Sequence, residues 1–327
     1  MNNLKKLGVS ALAGSLAVCS ANAADVSVTG SLAVTYTNQD TSESDGNPLG
    51  MDNEFNFNIS GEMDNGMGVS YFMGMGEQAG GMDSAKLSVD MGDMGTIAFD
   101  QGSGSGLANF DDMTPKANEE VWDGLDTTAS GLTGRLGSSG RIQYTKSLDG
   151  LSIDAAYGPG SSTNNSDGAA SGSSEGGGYS FAANMSGDAM GMDGVSLGFG
   201  YGEIDSGDGD ADQEDMGIWA TYAMGSVTVG LQRNELTGGV AGATEQIADL
   251  YSIAFNVNEN LAVSYGVKNT DFETSGSATV EEEVDGIGVS YTMGSMKIAG
   301  NRNEGKKLGG SATAEDVDTE IKLSFAF

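Results

Sequence analysis

Alternation is the property of this sequence that leaves the fewest folds open. In the stretch from Asp318 to Phe327, Ile321, Leu323, Phe325 and Phe327 share one parity, and Glu320, Lys322, Ser324 and Ala326 share the other. A period of two puts the two sets on opposite faces of a strand, one suited to an apolar medium and one to water. The pattern recurs from the start of the chain. Val26, Val28, Leu32, Val34 and Tyr36 alternate with Ser27, Thr29, Ser31 and Thr35, and Phe55, Phe57 and Ile59 alternate with Asn56, Asn58 and Ser60. Asp64-Asn65-Gly66 then marks a hairpin, and Met67, Val69, Tyr71 and Met73 carry the chain back.

Read onward, the same alternation predicts strands near 84–91, 95–101, 141–147, 151–157, 178–186, 195–203, 216–222, 226–234, 250–257, 261–268, 285–292, 295–303 and 318–327. With the first three these make sixteen, and an even number lets a barrel close with both termini on one side. The connections sort by length. Short turns at 64–66, 92–94, 148–150, 187–194, 223–225, 258–260 and 293–294 alternate with long polar segments at 38–53, 76–83, 102–140, 158–177, 204–215, 235–249, 269–284 and 304–317. Short turns at one end and long loops at the other are the pattern of a transmembrane barrel. Polar residues interrupt every apolar run after the first 23 residues, so a bilayer crossing has to be made by a closed barrel. Aromatics at strand ends, among them Tyr36, Tyr157, Tyr201, Tyr222, Tyr291 and Phe327, suit interfacial girdles. The expected fold class is therefore all-β: a 16-stranded antiparallel transmembrane β-barrel.

The first 23 residues read as an export signal: Lys5 and Lys6, an apolar run from Leu7 to Val18 too short to span a bilayer, and Ala21-Asn22-Ala23. The expected organisation is a signal peptide at 1–23 and one barrel domain at 24–327. Cleavage there removes Cys19, the only cysteine, and the chain has no histidine. Ser-His-Asp and Cys-His catalysis and thiolate or histidine zinc sites are thereby excluded, and no pair of acids is singled out for hydrolysis. The expectation is a protein that is not an enzyme and needs no cofactor. The formal net charge is −33, and the signal segment holds two of the 14 bases and none of the 47 acids. Such a chain is unsuited to nucleic acid and suited to cations.

If the apolar parity meets lipid, the other lines the interior. Asn56, Asn58, Ser60, Glu62, Lys86, Arg141, Gln143, Asp154, Lys268, Lys297, Glu320 and Lys322 then project inward, a wall fit for water and small hydrophilic solutes. The longest connection, 102–140, carries Asp111, Asp112, Glu119, Glu120, Asp123 and Asp126 against Lys116 and Arg135. Its Leu107, Phe110, Met113, Val121, Trp122 and Leu125 indicate that it packs against something.

Two further motifs stand apart. Tyr222–Glu235 echoes Tyr291–Glu304, placing Arg233 and Arg302 at matching positions, and parity puts both on the apolar face near the long loops. There they would meet anionic lipid head groups or a subunit interface, unless a bulge turns them inward. Asp205, Asp208, Asp210, Asp212 and Glu214 crowd one loop and make calcium a candidate ligand, although Gln213 and Trp219 occupy places where an EF-hand needs glycine and glutamate.

The signal, the Ser60-Gly61 strand with its Asn65-Gly66 hairpin, the Gly92-Asp-Met-Gly95 turn, the acidic third loop and the terminal Phe327 together resemble the general porins of Gram-negative bacteria, most of all the alphaproteobacterial type. The resemblance spans essentially all of 24–327. It implies a third loop bent inward to narrow the channel, a homotrimer packed through barrel walls, and an outer-membrane location in contact with lipid and lipopolysaccharide. It also implies a constriction with acids Asp111, Asp112, Glu119 and Glu120 on the loop and bases from Lys86, Arg141, Lys268 or Lys322 on the wall. The dense arginine cluster of that pattern is missing, so the expected channel is cation-preferring and passive. The other reading of the same features is an exported, acidic, calcium-binding β-rich surface or adhesion protein.

Overall fold

A computed structural model describes residues 24–39, 47–76, 81–127, 130–132, 140–159, 177–205, 212–238 and 245–327. The expected signal segment, Arg135, Asp208 and Asp210 lie outside the described residues. The strands are β1 (Asp25–Gln39), β2 (Leu49–Glu62), β3 (Gly68–Gly76), β4 (Gly81–Asp90), β5 (Thr96–Gln101), β6 (Arg141–Leu148), β7 (Leu151–Gly158) and β8 (Gly178–Ser186). They continue as β9 (Val195–Ile204), β10 (Gln213–Met224), β11 (Val227–Thr237), β12 (Glu245–Asn256), β13 (Leu261–Glu273), β14 (Val280–Met293), β15 (Met296–Lys306) and β16 (Glu315–Ala326).

Each strand pairs antiparallel with its sequence neighbours, and β1 pairs with β16, so the sheet closes into a barrel of sixteen strands as the alternation predicts. The seam runs from Ser31 opposite Ala326 to Gln39 opposite Asp318. Beyond it, the N–H of Phe327 donates to the Gly30 carbonyl at 2.8 Å and the Gly30 N–H donates to the Phe327 carbonyl at 3.2 Å. Closure leaves no unpaired edge, which hydrocarbon would not tolerate.

Parity sorts the two faces. Val28, Phe55, Leu87, Phe99, Ile142, Phe181, Ile218, Leu231, Ile253, Ile287 and Ile321 are all exposed, forming an apolar ring too extensive for a water-soluble surface. The opposite set lines the inside of the barrel. At the short-turn end, the Met63 N–H donates to the Met67 carbonyl at 2.8 Å across the Asp64-Asn65-Gly66 turn. Asn65 accepts from the Met67 N–H, and Gly66 sits at φ 81°, a left-handed value that costs glycine nothing.

The strands on the C-terminal side outrun the expectation. β13 extends to Glu273 and β14 begins at Val280, so the long polar segment expected at 269–284 shrinks to the residues between them. β2 likewise begins at Leu49, within the segment expected to be loop to 53. Alternation of apolar with polar residues marks only the part of a strand that needs an apolar face. Above that level the backbone ladder continues through residues polar on both faces, such as Asp271 opposite Glu281.

Candidate functional site

Among the described residues, the buried apolar clusters all involve the segment between β5 and β6. Leu107 and Phe110, in a short 3-10 turn at Gly106–Phe110, pack with Ala182 of β8 and Trp219 of β10. The Phe110 ring meets the Trp219 indole edge-on at 6.0 Å. Leu132 and Trp122 pack with Ala248 and Leu250 of β12, and Leu125 and Val121 with Val284 of β14 and Leu308. Trp219, Leu250 and Val284 are apolar residues on the polar parity of their strands. They mark where the segment docks, and an apolar residue on an otherwise polar face was the signal available for them in the sequence.

Between these clusters, polar side chains of the same parity hold the segment's backbone. The Leu107 N–H donates to Ser180 Oγ at 3.3 Å, and Gln232 of β11 accepts from the Met113 N–H at 2.6 Å while donating to the Phe110 carbonyl at 2.6 Å. Ser252 Oγ donates to the Pro115 carbonyl at 2.7 Å, and the Ala117 N–H donates to Ser264 Oγ at 2.9 Å. Asn303 of β15 donates to the carbonyls of Glu120 at 3.1 Å and Asp123 at 2.9 Å. The Asp126 N–H donates to Asp316 Oδ2 at 3.3 Å. These contacts step around the barrel from β8 to β16. Each such bond adds about 0.5–1.5 kcal/mol net, and a wall group left unmade would forfeit more.

The bases expected on the wall are not spread along it as free cations. Lys86 lies 3.6 Å from Asp100 and donates to the Gly104 carbonyl at 2.9 Å, and Arg141 lies 3.5 Å from the same Asp100, so both sit at the root of the segment. Lys268 and Glu282 form a fully buried pair at 2.8 Å, with the ammonium 5.5 Å from the Trp122 ring centre. Thr127 Oγ1 donates to the other oxygen of Glu282 at 2.6 Å. Lys322 reaches Glu119 at 3.2 Å, and Lys297 donates to Asn118 at 2.8 Å. Wall bases thus meet the far part of the segment from β13, at Trp122, and from β15 and β16, at Asn118 and Glu119.

Of the segment's acids, Asp112 is turned into its own backbone: Oδ1 accepts from the Thr114 N–H at 2.7 Å and hydroxyl at 2.6 Å, with Lys116 at 3.7 Å. Burial raises its pKa above the ordinary carboxylate value of 3.8, against the pull of Thr114 and Lys116. Glu120 pairs with Lys116. Asp123 is also raised above 3.8, first by burial and then by the charges of Glu119 and Glu120. The Asp111 carbonyl accepts from Gln232 at 3.2 Å. Asp111, Asp112, Glu119, Glu120, Asp123 and Asp126 therefore share one segment, and Glu119 reaches the strand base Lys322 at salt-bridge distance.

Arg233 and Arg302 lie on the apolar parity, as expected. Arg233 stands opposite the exposed Ile218, pairing with Glu235 at 2.9 Å and Asp249 at 3.3 Å, and Arg302 pairs with Glu304 at 2.8 Å. In the acidic loop before β10, Asp205 and Asp212 flank the residues outside the description and Glu214 is already in β10. Among the described residues no three acids converge as metal ligands.

Comparison with protein families decides what this arrangement belongs to. The model of the Gram-negative porins matches residues 8–317. The chain belongs to the Gram-negative porin family. Membership makes it an outer-membrane channel for small solutes and sets aside the surface-protein reading. Solved porins share its fold at low identity. A porin refined at 1.8 Å resolution is 17% identical, with 93% of this chain and 100% of that one covered and a TM-score of 0.65. OmpT, an outer membrane protein of Vibrio cholerae, is 12% identical over 94% of this chain and 98% of its own, with a TM-score of 0.69. Salmonella typhi OmpF, solved with daunomycin, is 15% identical over 92% and 97%, also at 0.69. No curated protein matches the sequence.

Proposed function

We propose that this porin is a passive, water-filled channel that prefers cations, narrowed by the segment between β5 and β6, whose described residues 102–127 and 130–132 lie inside the barrel against its β8–β16 wall. The observation that carries the reading is the state of the bases on the polar face. Lys86, Arg141, Lys268 and Lys322 are each tied to a carboxylate, and Lys297 to an amide. Asp52, Glu54 and Glu62 on β2 and Asp90 on β4 form no salt bridge among the described residues. A passage walled by low-dielectric protein with this balance concentrates cations and repels anions. Asp111, Asp112, Glu119, Glu120, Asp123 and Asp126 supply the acidic side of the constriction. Lys322 is the base that meets it.

The assembly proposed is a homotrimer. Its support is the wall from β3 to β8, whose strands of six to ten residues stay apolar to their long-connection end at Phe99, Ile142, Tyr157 and Tyr179. Arg233 and Arg302 lie on the opposite side of the barrel and fit lipid or lipopolysaccharide head groups. Planar-bilayer recording under a potassium chloride gradient tests the whole reading. Stepwise triplet conductance with a cation-selective reversal potential supports it, and an anion-selective potential overturns the electrostatic part.

A further inference from the structure

The connection from β15 to β16, residues 307–314, lies at the long-loop end, yet part of it is buried within the barrel. Its backbone turns sharply: φ is 53° at Lys307, 60° at Gly309 and 78° at Gly310. Such left-handed values are ordinary for glycine and uncommon for lysine. The turn is closed on itself, because the Leu308 N–H donates to the Ala314 carbonyl at 3.1 Å and the Ser311 N–H donates to the Leu308 carbonyl at 3.1 Å. Its product is a single apolar side chain, Leu308, that is only 3% exposed.

Leu308 and the residue after it both hold the far part of the β5–β6 segment. Leu308 packs with Leu125 of the segment and Val284 of β14, and Val121 lies against them. A side chain at Gly305 would come within 2.5 Å of Leu308 and 3.1 Å of Leu125, so the glycine leaves room for the two leucines to meet over β15. The Gly309 N–H donates to Glu282 Oε2 at 2.8 Å, the same oxygen that accepts from Thr127 Oγ1 at 2.6 Å. One buried carboxylate oxygen therefore joins the connection to the segment, while Lys268 holds the other oxygen at 2.8 Å. Gly310 rests on Phe272, where an added Cβ would lie 2.9 Å from the ring, and Phe272 packs with the cluster that includes Trp122 and Leu132.

We infer that Leu308 and Gly309 are positioning residues for the channel: the β15–β16 connection latches the far part of the constricting segment, so a load placed on this connection from the long-loop side changes the width of the passage. The inference rests on the reading that the segment narrows the channel, and it holds whichever ion the channel favours. Asn303 and Asp316 hold residues 120–126 through their backbone from the wall. The latch adds the apolar contact and the shared carboxylate, and it is the part of this anchorage that reaches the outer surface, through the exposed Ser311, Ala312 and Thr313. Long connections of such barrels face the cell exterior, so whatever binds there pulls on the latch before it meets the constriction.

Single-channel recording tests this in a chain carrying Cys19→Ser, in which an introduced cysteine is unique. Leu308→Ala should make the open channel switch to a second conductance level at least about tenfold more often, as truncation of a buried leucine weakens its contacts by that factor or more, and Leu308→Met should restore the steady trace. Thr313→Cys leaves the latch intact and decides the matter if Leu308→Ala does not fold. Streptavidin bound there through a reducible biotin linker, added from the long-loop side, should change the conductance, and reductant should reverse the change. Streptavidin at Ser277→Cys, exposed on the β13–β14 connection and outside the clusters that hold the segment, should leave it unchanged. Glu119→Cys treated with a bulky thiol reagent keeps the two readings apart: an undiminished conductance means that the segment does not narrow the channel, and the latch falls with that reading. A diminished conductance there, with equal responses at 313 and 277 or a native trace in Leu308→Ala, overturns the latch alone.

Discussion

The polar faces of β1–β3 and of β11–β16 obey the same alternation and meet opposite fates. On β2, Asp52, Glu54 and Asn58 stand exposed, with Asn56 linked to its neighbour Glu54 at 2.8 Å. On β11 to β16, Gln232, Asn234, Lys268, Thr270, Glu282, Asn303 and Asp318 are buried, and Gln232, Asn234 and Asn303 donate to backbone carbonyls of the β5–β6 segment. Parity decides which side chains point into a barrel. What covers them is decided elsewhere in the chain, so identical-looking polar rows become either open wall or anchorage.

The strongest way to break this contrast is Lys268→Met. It strands Glu282 as an uncompensated buried charge and should cost about 3–5 kcal/mol, read as a lower unfolding midpoint of the folded band in urea. The double change Lys268→Met with Glu282→Leu should recover most of that loss, because a buried pair replaced by apolar groups of similar volume is near neutral. If the single change is silent, the pair does not anchor the segment. Gln232→Leu comes next. It removes the partner of both the Phe110 carbonyl and the Met113 N–H, with an expected cost of about 1–3 kcal/mol and faster protease cleavage within 102–140. The matched change on the bare wall, Asn58→Leu, should stay within about 0.5 kcal/mol and leave cleavage unchanged.

A pH titration sharpens the same comparison. The Asp123 pKa is raised, so the folded protein binds this proton more tightly than the unfolded chain does. Its ionisation opposes docking at neutral pH. Acidification from above the raised pKa down towards 3.8 should relieve that opposition and at the same time weaken cation selectivity. Asp123→Asn should flatten this part of the reversal-potential curve. The smallest effect is expected on the outer face, where Arg233→Ala disrupts partly exposed pairs with Glu235 and Asp249 and should change stability by at most about 1 kcal/mol.

The barrel was legible because its constraint is local: every strand crossing lipid has to alternate, and Val26 to Tyr36 or Ile321 to Phe327 declare this within a dozen residues. Strand ends were less so, since residues such as Asp271 and Glu281 pair by backbone alone once both faces are wet. The acidic segment and its apolar residues could be picked out, and so could the outward parity of Arg233 and Arg302. Which wall residues would hold the segment could not. Ser180, Gln232, Ser252, Ser264 and Asn303 look like any other polar inward position, and their selection depends on contacts more than a hundred residues apart for Gln232, Ser252, Ser264 and Asn303. Lys268 shows the same limit. Its inward parity was readable, but its complete burial against Glu282 depends on Trp122 and Thr127 arriving from a distant loop.

The seam between β1 and β16 has a consequence for how the molecule comes into being. Gly30 and Phe327 exchange two hydrogen bonds across nearly the whole length of the chain. Chain synthesis delivers β1 long before β16. The β1 ladder must therefore wait, unmatched on one side, until β16 arrives, and the closure it waits for carries the greatest sequence separation of the strand pairings. An unfinished ring exposes two strand edges, and a chain held in that state is a template for pairing with its neighbours. For this protein, closing the ring and being safe from aggregation are the same event.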